Sequence, residues 1–148
     1  MVILALAMKI SKYPLGLTIT SVKHIPLYQK AVDIYKLSQD INHKAGQRKS
    51  LSELYRSSNL SEQALENLVV NAIGLPSKIA IAQTTRSPKL RLESIDSIKN
   101  HIEHLRTYCK QLTANYQPVR PYLRKLSKEL ASFRKMQVQW SVLLTQQN

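Results

Sequence analysis

From Ile95 to Leu112, apolar side chains recur at alternating intervals of three and four residues, the spacing of one face of an amphipathic helix. Such a helix has a continuous apolar stripe that other helices must cover. Ser87 followed by Pro88 predicts where it begins, because serine caps helix N-termini and proline suits the first helical position. The predicted buried residues are Ile95, Ile98, Ile102, Leu105, Cys109 and Leu112.

Three further segments show helical spacing. One spans about residues 26–43, and another runs from near residue 50 to residue 83, as one helix or as two, because Ser58 and Asn59 are residues that cap helices. The last spans Val119 to Leu144. No segment alternates as a strand would, so the sequence predicts an all-α fold, an antiparallel four-helix bundle. The predicted stripe of the last helix, with Gln137 as its polar exception, is Leu123, Leu126, Leu130, Phe133, Trp140 and Leu144.

A glycine and a proline interrupt the second helical segment, in the stretch GLPSKIAIAQTTRSP of residues 74–88. Proline removes one backbone hydrogen bond and bends a helix, but packing on both sides can hold the helix together. We therefore predict a single helix that is kinked near Pro76 and continues through residues 79–82. Gly74 is expected to allow a close approach of another helix, and residues 84–86 are expected to form the loop.

The chain divides into an N-terminal segment, residues 1–24, and a bundle domain, residues 25–148. The segment opens with MVILALAMKI, which is too short to span a membrane and lacks the basic stretch that starts a signal peptide. No membrane partner is therefore expected. Two interpretations of this opening remain: Met8 is the true start, or the first residues form an apolar tail that docks on a neighbouring subunit.

The charge of the chain is strongly unbalanced. It has 22 Lys and Arg residues against 9 Asp and Glu residues, a formal net charge of +13. By charge alone, nucleic acid, an anionic membrane and an acidic protein all qualify as partners, and charge cannot rank them. The excess is concentrated after Gln117, where Glu129 is the only acidic residue. The predicted nucleic-acid-binding residues are Arg120, Arg124, Lys125, Lys128, Arg134 and Lys135.

Nearby aromatic residues allow two interpretations. Tyr116 and Tyr122 either stack on exposed bases or cap one end of the bundle. Other apolar residues predict assembly into a homo-oligomer, because apolar side chains at the ends of a small bundle leave apolar surface that a second copy of the chain can cover. These are Tyr13, Ile19 and Trp140.

The sequence gives no pattern of a catalytic, cofactor or metal site. His101 and His104 lie three residues apart on the side of their helix expected to face solvent, without carboxylates to complete a metal site. Cys109 falls in the apolar stripe and is expected to pack there. A lone cysteine also fits a reducing cytoplasm. A binding protein rather than an enzyme is therefore expected, and solvated ion pairs are predicted for the acids Glu93, Asp96 and Glu103.

The stretch LPSKIAIAQTTRSP, followed by SIDSIKNHIEHLRTY, resembles the bacterial four-helix bundle proteins of the ribosomal RNA intervening-sequence type. Their second helix often reads Ile-Pro-Ser-Asn-Ile-Ala-Glu-Gly. The matching residues are Leu75, Pro76, Ser77, Ile79 and Ala80, whereas Lys78, Ile81 and Ala82 depart from the pattern. The same superfamily includes the accessory variability determinant of diversity-generating retroelements, which this chain resembles in size, charge and layout over residues 27–141. That group often ends its last helix with Gly-Trp, and here Gln139 precedes Trp140.

This resemblance implies a non-enzymatic, cytoplasmic accessory protein without a cofactor. It would bind a reverse transcriptase, form a ring-shaped homopentamer, and contact RNA or DNA through its basic surface to support mutagenic cDNA synthesis. Two alternatives stay open: a nucleic-acid binder without a polymerase partner, and a structural interaction module whose charge serves an acidic protein.

Overall fold

The computed structural model describes residues 19–46 and 60–146, and every regular element in these ranges is a helix. This confirms the predicted all-α fold. A one-turn helix, α1 (Ile19–Val22), precedes four long helices. These are α2 (Pro26–Gly46), α3 (Leu60–Thr84), α4 (Pro88–Asn115) and α5 (Arg120–Thr145), and a 3₁₀ turn, Gln117–Val119, joins the last two.

The four long helices form a bundle in which each packs against two neighbours. Helix α3 packs against α2 and α4, and α5 closes the ring by packing against α4 and α2. Contacts between α4 and α5 run in opposite directions along the chain, because Arg120 contacts Thr113 whereas Arg134 contacts Glu103. The same reversal relates α2 to α5, because Lys30 contacts Glu129 whereas Lys44 lies over the ring of Tyr122. The antiparallel four-helix bundle is therefore confirmed.

The core contains the apolar stripes that the sequence predicted. All six predicted stripe residues of α4, from Ile95 to Leu112, are buried, and so are those of α5 from Leu123 to Leu144. Gln137 is buried among them, and its Nε2 donates to Ser141 Oγ at 2.8 Å. A polar residue in the stripe is thus accommodated by a hydrogen bond within its own helix.

Helix α4 begins as predicted. Ser87 has extended backbone angles, its Oγ accepts a hydrogen bond from the Leu90 amide at 3.1 Å, and Pro88 occupies the first turn. The preceding helix ends at Thr84, so the connection consists of residues 85–87. The predicted loop of residues 84–86 was therefore displaced by one residue, because Thr84 stays helical and its Oγ1 bonds to the Ala80 carbonyl.

Helix α3 continues without a break through Pro76. Proline has no amide hydrogen, so the helix loses the bond to the carbonyl four residues earlier at this point. Leu75 and Ile79, on either side, are fully buried, as is Ala82. Packing therefore holds the helix together across the proline, and residues 79–82 belong to it as predicted.

Gly74 lies where α3 and α4 approach each other closely. A Cβ atom at this position would lie 2.6 Å from Nε2 of His101 and 2.8 Å from its Cε1. These distances are well below van der Waals contact, so only glycine fits while His101 keeps its position. The predicted close approach at Gly74 is confirmed.

The ends of α3 and α5 share a group of buried polar side chains. Trp140 is 2% exposed, and its Nε1 donates to Gln83 Oε1 at 2.6 Å. Arg91, at the start of α4, is also buried and donates from Nη2 to the Thr85 carbonyl at 2.9 Å. Trp140 therefore offers no apolar surface for assembly, which corrects the expectation that it is left over at the end of the bundle.

Several predictions fall on residues outside the described ranges. They concern the choice between Met1 and Met8, the apolar opening of the chain, Tyr13, and the capping roles of Ser58 and Asn59. Within the described part, α2 extends three residues beyond the predicted His43. Val22 and Ile25, next to the expected domain boundary, are both buried in the core.

Candidate nucleic-acid interface

Helix α5 carries the six predicted binding residues on the surface that its apolar stripe leaves free. Arg120, Arg124 and Lys128 follow at intervals of four, so each lies about 6 Å further along the helix than the last. All six except Arg120 are exposed. We call these six residues the basic face of α5: Arg120, Arg124, Lys125, Lys128, Arg134 and Lys135.

Arg120 differs from the rest of the basic face because the fold uses its side chain. It is half-buried, and its Nε donates to the Thr113 carbonyl at 3.1 Å, near the C-terminus of α4. This bond satisfies a carbonyl that the last turn of a helix leaves without an intrahelical partner. Arg120 lies off the apolar stripe as predicted, yet replacing it alters the connection between α4 and α5.

The acidic residue of the α5 segment does not neutralise its own helix. Glu129 Oε1 accepts from Lys30 Nζ of α2 at 2.9 Å, with both side chains partly exposed. Among the ion pairs found in the described residues, Arg134 is the member of the basic face that meets a carboxylate. The charge of the basic face is therefore mostly available to an external anion.

A groove of about 590 Å³ runs between α4 and α5. Its volume lies within the range of small-molecule sites. Small side chains such as Ser127 and Ala131 of α5 leave the space, and Cys109 and Leu130 belong to its apolar lining. The lining also brings together basic residues from both helices: Arg106, Lys110 and Arg124. We call this feature the α4–α5 groove.

The sequence did not indicate Arg106 and Lys110. They lie four residues apart on α4 and are exposed, which is a pattern shared by many solvated helix surfaces. What distinguishes them is their position beside Arg124, and that depends on how α4 pairs with α5. The α4–α5 groove thus joins predicted and unpredicted residues in one basic region.

Glu103 is the acidic residue in the lining of this groove. Its Oε2 lies 3.3 Å from Arg106 Nη1 on the same helix and 3.9 Å from Arg134 Nη2 on α5. All three side chains are about half exposed. The predicted solvated ion pair of Glu103 is confirmed, and it includes a member of the basic face.

The two tyrosines near the start of α5 have different surroundings. Tyr116 is partly buried and packs against the core, so it covers the end of the bundle. Tyr122 is 38% exposed, and Lys44 Nζ of α2 lies 5.0 Å from its ring centroid. This distance is within the range of a cation–π contact. Tyr122 therefore lies against α2, whereas the α4–α5 groove opens on the other side of α5.

His101 and His104 share one hydrogen-bond acceptor. Asn71 donates from Nδ2 to the Asn67 carbonyl, which leaves its Oδ1, 3.2 Å from His101 Nδ1 and 3.3 Å from His104 Nδ1, to accept from both rings. Burial, followed by the charges of Lys78 and His104, lowers the pKa of His101. His101 is half-buried against α3, so its predicted position on the solvated side was wrong.

The described ranges contain no group of three or more His, Cys, Asp or Glu side chains that could hold a metal ion.

Cys109 packs as predicted. It is 3% exposed, and its Sγ donates to the Leu123 carbonyl at 3.3 Å. Burial raises the pKa of the thiol. Since the thiolate is the reactive form, these surroundings disfavour a nucleophilic role.

None of the helices in residues 19–46 and 60–146 is long and apolar enough to cross a lipid bilayer. Comparison with protein-family models, with curated proteins and with solved structures finds no significant match to this chain.

Proposed function

We propose that this protein is a non-enzymatic, nucleic-acid-binding four-helix bundle that contacts RNA or DNA through the basic face of α5. The observation that supports this proposal is the run of exposed cations at Arg124, Lys125, Lys128 and Lys135, beside an acidic residue that pairs with α2 instead. Successive cations along a helix can meet successive phosphates of a nucleic-acid backbone and release their counterions. The net charge of +13 favours the same class of partner.

The more specific form of the proposal is an accessory role in a diversity-generating retroelement. It rests on the resemblance of residues 75–80 and of the overall layout to that group, and the four-helix bundle and the basic surface are compatible with it. In this role the protein binds a reverse transcriptase, assembles as a homopentamer and acts in the cytoplasm. A reverse transcriptase gene and a pair of near-identical repeats beside its own gene would support this form.

A second observation favours a protein partner in addition to nucleic acid. Val70 and Ile73 of α3 are 57% and 53% exposed, and Lys78 is the one charged residue between Asn67 and Thr84. Neighbouring exposed apolar side chains of this kind are typical of protein contacts. This surface suits a polymerase or a second copy of the chain. It also suits an acidic protein, the partner of the alternative in which the chain is a structural interaction module, if the basic residues of the chain add to the contact.

The test is a direct titration of purified protein against labelled single-stranded and duplex oligonucleotides over a range of salt. We expect log K to fall linearly with log salt, by about 0.7 to 0.9 for each phosphate neutralised. Changing Arg124, Lys125 and Lys128 together to Glu should abolish binding and leave helical content unchanged. Arg120 is left intact because the fold uses it.

A control variant with the same change of net charge separates the α5 site from overall attraction. Lys36, Arg86 and Lys89 are exposed basic residues that do not belong to α5, and changing all three to Glu should weaken binding only slightly. The site is wrong if both triple variants lose the same affinity. The function is wrong if the wild-type protein shows no salt-sensitive binding to any of the oligonucleotides.

A further inference from the structure

We propose that the α4–α5 groove holds the backbone of a single nucleic-acid strand, and that Glu103 occupies the place of one phosphate until the strand arrives. This inference rests on the proposed function and adds the path of the strand and an internal competitor. It starts from two observations. The first is the basic lining of the groove, and the second is the contact of one lining carboxylate, Glu103, with Arg106 of the lining and with Arg134, an α5 residue outside the lining.

The lining of the groove is suited to a polyanion along its length. Arg106 and Lys110 project from α4 and Arg124 from α5, so cations lie on both sides of the opening. Between them are the short side chains of Thr107, Ser127 and Ala131, which leave room for a backbone. The Ser127 hydroxyl can donate to a phosphate, whereas that of Thr107 already donates to the Glu103 carbonyl.

The width of the recess favours a single strand. The axes of packed helices lie about 8 to 10 Å apart, so a groove between two neighbouring helices is narrower than a single helix. A duplex is far wider than that, because its major groove alone admits a whole helix. A duplex can touch only the rim of the α4–α5 groove, at Arg124 and its exposed neighbours on α5. A single strand can place its sugar-phosphate backbone between Arg106 and Arg124 and turn its bases outward.

Glu103 already shows where an anion binds. Its carboxylate lies within 4 Å of guanidinium groups from α4 and α5, at 3.3 and 3.9 Å. Exposed pairs of this kind are weak and exchange readily. A phosphate arriving from a strand can therefore replace the carboxylate, and Arg106 and Arg134 then join Arg124 in contacting the backbone. In the free protein Glu103 competes with nonspecific anions for these two arginines and so lowers their affinity.

The first test is Glu103→Gln, which removes the charge and keeps the shape. We expect this variant to bind a labelled oligothymidylate about two- to fivefold more tightly than the wild type, because one internal competitor is lost. The salt dependence should become steeper, by up to about 0.7 in the log-log slope if one more phosphate is contacted. Glu129→Gln is the matched control, because Glu129 pairs with Lys30 on the α2 side of α5 and should leave binding nearly unchanged.

The second test fills the recess without changing any charge. Ala131 is exposed and lines the groove, so Ala131→Phe should weaken binding of the oligothymidylate at least about fivefold and affect a duplex of the same length less. Val138→Phe is the control, because Val138 is 56% exposed, also on α5, and lies outside the groove lining. Circular dichroism should show the same helical content for all four variants.

The outcomes separate this inference from the proposed function. If the wild type binds nucleic acid with a steep salt dependence but Glu103→Gln and Ala131→Phe behave like their controls, the groove is wrong and the basic face of α5 stands. If these two variants alter binding of polyglutamate and not of oligothymidylate, the groove belongs to an acidic protein and the inference is overturned. If the wild type binds no nucleic acid, both proposals fail.

Discussion

Helices α3 and α5 bury similar apolar stripes but present opposite surfaces. On α3 the exposed positions include Val70 and Ile73, and a single charge, Lys78, occurs over its last 18 residues, 67–84. On α5 the exposed positions from Arg124 to Lys135 carry the basic face. The core therefore does not explain the difference. A surface with a single charge suits contact with another protein, and a surface of cations suits a polyanion. The two helices are therefore suited to two different kinds of partner.

The contrast between α3 and α5 is meaningful only if both helices belong to one cooperatively folding unit. A substitution at Leu105 is the most severe test of this condition. This residue of α4 is fully buried, and α4 packs against both α3 and α5. Leu105→Asp should lower the free energy of unfolding by well over ~3 kcal/mol, because it buries a charge without a partner. Chemical denaturation followed by circular dichroism measures this change. A variant that unfolds at the wild-type denaturant concentration would refute the shared core.

A smaller effect is expected where α3 rests on α4. Gly74→Val places methyl groups on His101, and we expect a loss of about 2 kcal/mol in the free energy of unfolding from overpacking. His101→Ala in the same chain should restore part of that loss by making room. A double-mutant cycle in denaturant measures the coupling between the two sites. If the two changes are simply additive, the close approach does not fix the position of α3.

The pH dependence of the folding stability should also arise where α4 packs against α3, at His101. Burial, Lys78 and His104 lower the pKa of His101 in the folded state, and an added proton would go to Nε2, the atom that faces Gly74. The neutral ring is therefore the form that folding favours. Stability is complete above the ordinary histidine pKa of about 6.5 and falls as the pH drops from there towards the lowered value.

Urea denaturation at a series of pH values between neutral and mildly acidic checks this expectation. The wild-type stability should fall over that range, and His101→Asn should flatten the curve. An unchanged slope in this variant would show that another group causes the acid sensitivity.

The smallest effect on stability is expected on the exposed surface of α3. Val70→Ser with Ile73→Ser should change the free energy of unfolding by no more than about 0.5 kcal/mol per site, because both side chains are more than half exposed. Nucleic-acid affinity should stay the same, in contrast to the triple Glu variant of α5. Light scattering at micromolar protein should show a lower mass for this variant if α3 mediates assembly. A loss of nucleic-acid binding would contradict the division between the two helices.

The comparison also shows which parts of the molecule were predictable. The stripes of α4 and α5, the cap at Ser87 and the glycine contact follow from local spacing and residue type, so the sequence contains them directly. The α4–α5 groove depends on pairing between distant segments, as does the bond from Trp140 to Gln83. Helical periodicity fixes which side of a helix is buried. It does not tell which exposed residues of two helices become neighbours, and this is why Arg106 was missed.

The lone cysteine of the chain, Cys109, allows the separation of α4 from α5 to be measured. Cys109 belongs to the lining of the groove and is 3% exposed, so a thiol reagent can reach it only when α4 and α5 move apart. At low reagent concentration, the rate of alkylation in native buffer then reports the fraction of molecules in which the two helices have separated, with no label added to the protein. A ligand that spans the two helices should slow the reaction, and one that touches only the rim of α5 should leave its rate unchanged.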